Sequence, residues 1–234
     1  MVSLSAGEVR PVRRSGLRDE VYQAILDMLT DNSLPEGTAL RVEALARMLD
    51  VSPTPIREAL VQLESTGLVL YTANRGYRVA DMPDANELRL IMDARVVLEV
   101  AAARRAASRE DRPFVGRLSE LVEAQAEAAA HLADDDVLPS KELVHGYLAL
   151  DHDFHDTVYR ECGNPYLARM ARGLDAQAQR ARQSFRHGID DAVDAVAEHR
   201  AILAAIVAGD ADAAEEASRL HLDRVLSSAL RDAS

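Results

Sequence analysis

Between Leu17 and Leu29 the apolar residues Leu17, Val21, Ile25, Met28 and Leu29 return every three or four positions, the spacing of one helix face. The run Asn32-Ser33-Leu34-Pro35-Glu36-Gly37 then interrupts the pattern with turn-forming residues. A second, shorter helix is predicted over Val42–Leu49 through Leu45, Ala46 and Leu49, and a third after Ser52, which is able to cap it. Pro53 and Pro55 cost little in the first turn of that third helix, where amide hydrogens have no helical partner. Ile56, Ala59, Leu60 and Leu63 form its inward stripe, so Thr54 and Arg57 face outward near its start. Leu68–Tyr71 and Tyr77–Ala80 read as two strands, and Asn74-Arg75-Gly76 between them has hairpin turn chemistry. Two short helices with the outward residues gathered at the start of the second, followed by a strand pair, match a winged helix-turn-helix that lays a helix in a DNA major groove.

After Asp81-Met82-Pro83 every segment carries the helical period. Helices are expected near 84–109, 113–132, 140–161, 165–187, 190–208 and 210–231, with breaks at Arg112-Pro113, Pro139, Gly163-Asn164-Pro165, Gly188 and Gly209-Asp210. Six helices of this length imply an antiparallel bundle. The predicted class is therefore mainly α. Its organisation is a winged domain over 1–80 with a short N-terminal arm, a linker at 81–84, and an all-α antiparallel bundle over 85–234.

Composition narrows the reading. No run of about 18 uncharged apolar residues exists to span a membrane, the opening segment lacks the apolar stretch of a signal peptide, and the single cysteine, Cys162, cannot close an intramolecular disulfide. A cytoplasmic protein is expected. The formal net charge of -12 argues against a nucleic-acid partner until it is divided along the chain. Residues 1–80 hold nine arginines against ten acidic groups, while the rest of the chain holds eighteen basic and twenty-nine acidic ones. The acidity belongs to the bundle. In the first segment Arg10, Arg13, Arg14, Arg41, Arg57, Arg75 and Arg78 supply the charge that a phosphate backbone requires if they share a surface.

In the bundle, Asp151 and His155 are four apart and lie about 40° from each other around a helix axis, on a face that also carries Tyr147, Val158 and Cys162. His199 sits among Val196, Leu203 and Ile206, and His221 between Ala217 and Val225. Polar groups in apolar stripes need partners. Each imidazole is either a hydrogen-bonded core residue or a metal ligand, and the Asp–His pair is either a hydrogen bond or part of a coordination sphere. His131, His145, His152 and His187 lack this setting and are expected at the surface. Arg95 shares a face with Leu88, Ile91, Met92, Leu98 and Ala102, so its guanidinium needs an anion: Glu99 one turn on, Asp151, or the carboxylate of a ligand.

The first segment resembles the N-terminal domain of GntR-family regulators. The likeness runs through Leu-Pro-x-Gly at 34–37, Leu-Ala-x-x-Leu at 45–49, Val-Ser-x-Thr-Pro-Ile-Arg-Glu-Ala-Leu at 51–60, Gly-Leu-Val at 67–69 and Asn-Arg-Gly at 74–76. It implies DNA contacts by Arg41, Ser52, Thr54 and Arg57, with Arg75 and Gly76 at the wing. Many members carry arginine where this chain has Pro53, so an operator sequence does not transfer from a relative. The bundle resembles the FCD, or FadR C-terminal, effector domain, through Asp93-Ala-Arg95-x-x-Leu98-Glu99, Leu150-Asp151-x-x-Phe154-His155, Gly163-Asn164-Pro165, Glu198-His199-Arg200-Ala-Ile202 and Leu220-His221-Leu222. That resemblance implies a divalent metal, zinc, nickel or another first-row ion, on Asp151, His155, His199 and His221. Beside that metal, the ligand reading of Arg95 gives a small carboxylate-bearing effector with Arg95 as its partner. The expected protein is a homodimeric regulator of a palindromic operator, with repression the expected sign and no catalytic activity. A metal-dependent hydrolase and a sensor of the metal itself are the alternatives.

Overall fold

The computed structural model describes residues 15–31, 33–133, 139–184 and 191–232. Arg10, Arg13, Arg14, His187, Gly188 and the acidic run 134–136 lie outside the described residues. The N-terminal unit comprises α1 (Ser15–Thr30), β1 (Ala39–Leu40), α2 (Val42–Met48), α3 (Pro53–Glu64), β2 (Val69–Thr72) and β3 (Gly76–Val79). The stripe Ile56, Ala59, Leu60 and Leu63 of α3 is buried against Val21, Ile25 and Leu29 of α1, the periodicity read from the sequence. Leu17 departs from it: placed in the first turn of α1, it is half exposed.

The sheet has the order β1-β3-β2 with both pairings antiparallel. β1, only two residues long, escapes a sequence reading because no alternation can be seen over two positions. The hairpin starts one residue earlier on its second strand than expected, because Thr72 pairs with Gly76 across a three-residue turn. Asn74 (φ 64) and Gly76 (φ 80) supply the left-handed backbone that turn needs. Tyr71 faces Tyr77 across the two strands, ring centroids 5.0 Å apart, an aromatic pair of the kind that fixes register.

The bundle is built from α4 (Ala85–Ala107), α5 (Val115–Leu132), α6 (Lys141–Glu161), α7 (Pro165–Ser184), α8 (Ala192–Ala208) and α9 (Ala211–Asp232). Asp84 starts α4 by accepting from the amides of Asn86 (2.9 Å) and Glu87 (2.8 Å), a cap of the kind that contributes about 0.5–2 kcal/mol. The first and last helices, α4 and α9, pack most extensively of all. Apolar layers lie towards both ends, one around Phe114, Phe154 and Ile202 and another around Met92, Leu222 and Val225. Polar residues occupy the middle. Among the described residues no helix is long and apolar enough to cross a membrane.

Candidate functional site

His155 of α6, His199 of α8 and His221 of α9 are buried together, and one ring nitrogen of each lies within 4.8 Å of the others'. The ring centroids are 5.0 Å (His155–His199), 5.1 Å (His155–His221) and 4.6 Å (His199–His221) apart, with Phe154 stacked on His199 at 4.3 Å. Three imidazoles at the centre of a bundle are costly unless each has partners, and the structure supplies one outer partner to every ring. The Nδ1 of His155 bonds Glu99 of α4, that of His199 meets the Gln125 Oε1 of α5 at 2.7 Å, and that of His221 meets the Glu198 Oε2 of α8 at 2.8 Å.

These partners fix the tautomers. Gln125 donates its amide nitrogen to Asp151 Oδ1 at 3.2 Å, so its oxygen faces His199 and can only accept. The carboxylates of Glu99 and Glu198 likewise accept from Nδ1–H. Each ring therefore leaves Nε2 for the interior. The Nε2 atoms of His199 and His155 stand 3.9 Å and 4.0 Å from the Asp151 carboxylate, and His199 Nε2 is buried with no hydrogen-bond partner. Burial pushes His199 well below the ordinary histidine value, helped by the charges of His221 and His155. Burial also lowers His221, against the hydrogen bond that its ring donates to Glu198. For His155 burial pulls down but Glu99 prevails and raises it. Burial raises the carboxyl of Glu99, and the charges of His155 and Arg95 overcome this and hold it down to about 2.

This donor set fits a divalent ion. Imidazoles with Nδ1 anchored to a carboxylate or amide and Nε2 turned inward are the arrangement that metal-ligating histidines adopt, and His155, which Glu99 raises, would give up its second proton to the ion. Asp151 brings a carboxylate to the Nε2 side of His155 and His199. In this structure it accepts from Arg182 of α7 at 2.9 Å, which holds its carboxyl far below the usual range despite burial. It thus stands one step outside the tight cluster of three histidines.

Arg95 is buried on α4. It pairs with Glu99 at 3.2 Å and with Asp175 of α7 at 3.1 Å, and of the two internal partners weighed from the sequence only Glu99 is a direct contact. Arg95 and Arg182 edge a small cavity between α6 and α7, into which His152 also faces. His152 is half-buried, unlike the exposed His131 and His145.

On the winged unit, Arg41, Ser52, Thr54, Arg57 and Arg75 are all exposed. Ser52 takes the N-cap position of α3 in extended backbone, but its hydroxyl makes no capping bond. Arg57 lies 3.7 Å from Glu43, both largely exposed. Arg78 is instead tied to Asp81 through two bonds of 2.9 and 3.2 Å.

The match of an FCD domain model to residues 90–224 and of the model "Bacterial regulatory proteins, gntR family" to residues 17–79 covers both units. The chain belongs to the GntR family. This GntR-family chain is 30% identical over 202 residues to the HTH-type transcriptional repressor GlaR of Escherichia coli K12, covering 84% of this chain and 87% of that one. It is 28% identical over 211 residues to the probable D-xylose utilization operon transcriptional repressor of Paenarthrobacter nicotinovorans, covering 89% and 87%. Its fold is that of E. coli McbR/YncC, with a TM-score of 0.76 at 20% identity over 92% of this chain and 97% of that one. The family is one of DNA-binding transcriptional regulators, not of catalysts.

The sequence assigns site roles to the three histidines and their neighbour Asp151, and none to Gln125, Glu198, Asp175 or Arg182. Glu198 is buried beside His199 on α8, and nothing in its spacing marks it as the partner of His221.

Proposed function

We propose that this GntR-family regulator binds a palindromic operator as a homodimer, through Arg41, Ser52, Thr54, Arg57, Arg75 and Gly76. Its helical domain takes a divalent metal on Asp151, His155, His199 and His221, and a small carboxylic acid beside it modulates operator affinity. The domain limits are 1–80, 81–84 and 85–234. The observation that carries the sensing half is the buried, partnerless Nε2 of His199 among rings whose Nδ1 atoms are all anchored. The metal supplies Lewis acidity to hold an oxygen donor, and first-row ions suit such a set. The chain's own residues do the rest. Gln125, Glu99 and Glu198 orient the rings, and Arg182 and Arg95 surround the acid with positive charge once their present carboxylate partners are shared with metal and ligand. Two relatives bear the name repressor, which supports repression as the sign.

The test combines elemental analysis of protein purified without a histidine tag, a thermal-shift screen of carboxylic acids with zinc present, and a gel shift on the gene's own upstream DNA. About one divalent ion per chain, stabilisation by an acid and acid-dependent DNA affinity are expected. A metal-free protein whose His199→Ala and His221→Ala variants keep wild-type stability would overturn the metal reading, and Arg95→Ala responding normally to the acid would remove Arg95 from the effector site.

A further inference from the structure

We propose that α7 couples the buried site to the winged domain, with Gly173, Ala176, Gln177 and Arg180 as the positioning residues that hold that domain in place. This rests on the reading that a small acid enters beside the histidines, and says how its entry is felt at the DNA face.

Residues 173–182 of α7, nearly three helical turns, present two faces to two different units. At 100° per residue, positions 173, 176, 177 and 180 fall within about 100° of arc, and 175, 178, 179 and 182 lie opposite them. The first face belongs to the winged unit. Ala176 is buried in the same apolar cluster as Val21, Ile25 and Leu63. Gly173 permits the close approach, since a Cβ there would stand 3.2 Å from Thr66 Cα and 3.4 Å from its carbonyl oxygen. Gln177 donates to the carbonyl of Thr66 at 2.6 Å, and Arg180 to that of Ala80 at 2.9 Å. Thr66 follows the C-terminus of α3, and Ala80 is the foot of the wing. The contacts of α7 thus clamp both DNA-reading elements.

The opposite face belongs to the site. Asp175 pairs with Arg95, and Arg182 with Asp151. Asp175, Gln179 and Arg182 form one wall of the cavity whose other wall is Leu148, Asp151 and His155 of α6. That cavity measures about 20 Å³, room for about one water. A carboxylic acid of several heavy atoms therefore enters only if α6 and α7 part. From Leu174 to Arg182 the helix contains no glycine or proline, so it has no cause to kink, and a displacement of its inner face carries the outer face with it. The hydrogen bonds to Thr66 and Ala80 are the ones that break.

The test is hydrogen exchange on the full-length chain, with a wedge in place of the ligand. Gln179→Trp fills the cavity from α7, and Leu148→Phe fills it from α6. Both are expected to speed exchange in peptides spanning 66–68 and 79–82 by about tenfold or more, while the interiors of α1 and α3 keep their protection, as for an opening confined to one docking surface. Two folded wedge variants with wild-type exchange at 66–68 and 79–82 overturn the proposal. So does faster exchange spread evenly through α1 and α3, which is unfolding of the winged domain and not undocking. Arg180→Met should release the same peptides without any wedge and leave zinc binding, followed by titration with zinc alone, within about twofold of wild type. Loss of zinc binding in that variant only shows that Arg180 supports the bundle itself, and overturns the assignment. Absence of zinc binding in the wild type too defeats the metal reading, and the wedge experiment, which uses neither metal nor acid, still decides the role of α7.

Discussion

Gln125 is fully buried and bonded to two site residues at once, so replacing it by methionine isolates what the outer shell contributes. Methionine fills a similar volume, which keeps the packing term small. The His199 Nδ1–H loses its acceptor in a place water does not reach, and an unsatisfied buried donor costs about 1–3 kcal/mol. Asp151 Oδ1 loses its donor as well, but Arg182 still bonds the other oxygen, so this loss falls at the lower end of that scale. Together the apo protein should lose about 2–4 kcal/mol in urea unfolding. With no group to keep the proton on Nδ1, His199 is free to present the wrong tautomer, and zinc affinity should drop by about 10- to 100-fold. Gln125→Glu separates the two effects. It keeps the acceptor for His199 and should recover much of the zinc affinity, while apo stability stays low because two carboxylates then face each other. A competition titration with a zinc-binding dye, run beside urea unfolding of each variant, reads both quantities. If folded Gln125→Met binds zinc as tightly as wild type, the Nε2 of His199 is not a ligand and the reasoning fails.

Two further outcomes are expected. Arg57→Ala should cost about 1–3 kcal/mol of specific operator binding and leave the melting temperature nearly unchanged, since the exposed contact with Glu43 adds little to folding; anisotropy titration on operator DNA measures it, and undiminished affinity removes Arg57 from the interface. Apo-protein stability should peak near the unfolded histidine value of about 6.5. Below it the unfolded chain takes up protons that His199 and His221, both lowered, refuse; above it folded His155, which is raised, holds a proton the unfolded chain has lost, so stability declines as pH rises through its folded value. Glu99 adds a second acid loss from the unfolded value of 4.5 down to about 2. Urea midpoints rising steadily from pH 5 to 9 would contradict the His155–Glu99 pairing.

The helices of both units were legible in the sequence because apolar residues at three- and four-residue spacing report a buried face whatever it packs against. The same logic placed Asp151, His155, His199 and His221 as polar residues inside apolar stripes. Gln125 and Arg182 were not legible. Arg182 stands in a helix rich in polar residues and Gln125 in the alanine-rich run 124–130, where neither is marked as buried until its partner from another helix is known. α7 presented the hardest case, because it is covered on two sides by two different units. Gln177 and Arg180 meet neighbours 111 and 100 positions away, a separation at which no sequence spacing reports a contact. Chain connectivity joins α4 to the wing through Asp81-Met82-Pro83, whereas the contacts of α7 with Thr66 and Ala80 are visible only in the packing.

The close pairing of α4 with α9 has a consequence for how the protein is made. During synthesis the winged unit can fold as soon as its residues emerge, since all its strands and three helices are contiguous. The bundle cannot. Its opening helix waits through more than a hundred further residues for the segment carrying His221, and until that segment arrives the side of α4 that packs on α9 is bare. The winged unit is therefore complete before the histidine cluster can be assembled. A ribosome that stalls before α9 yields a product with an exposed sticky face, a natural substrate for chaperones and proteases.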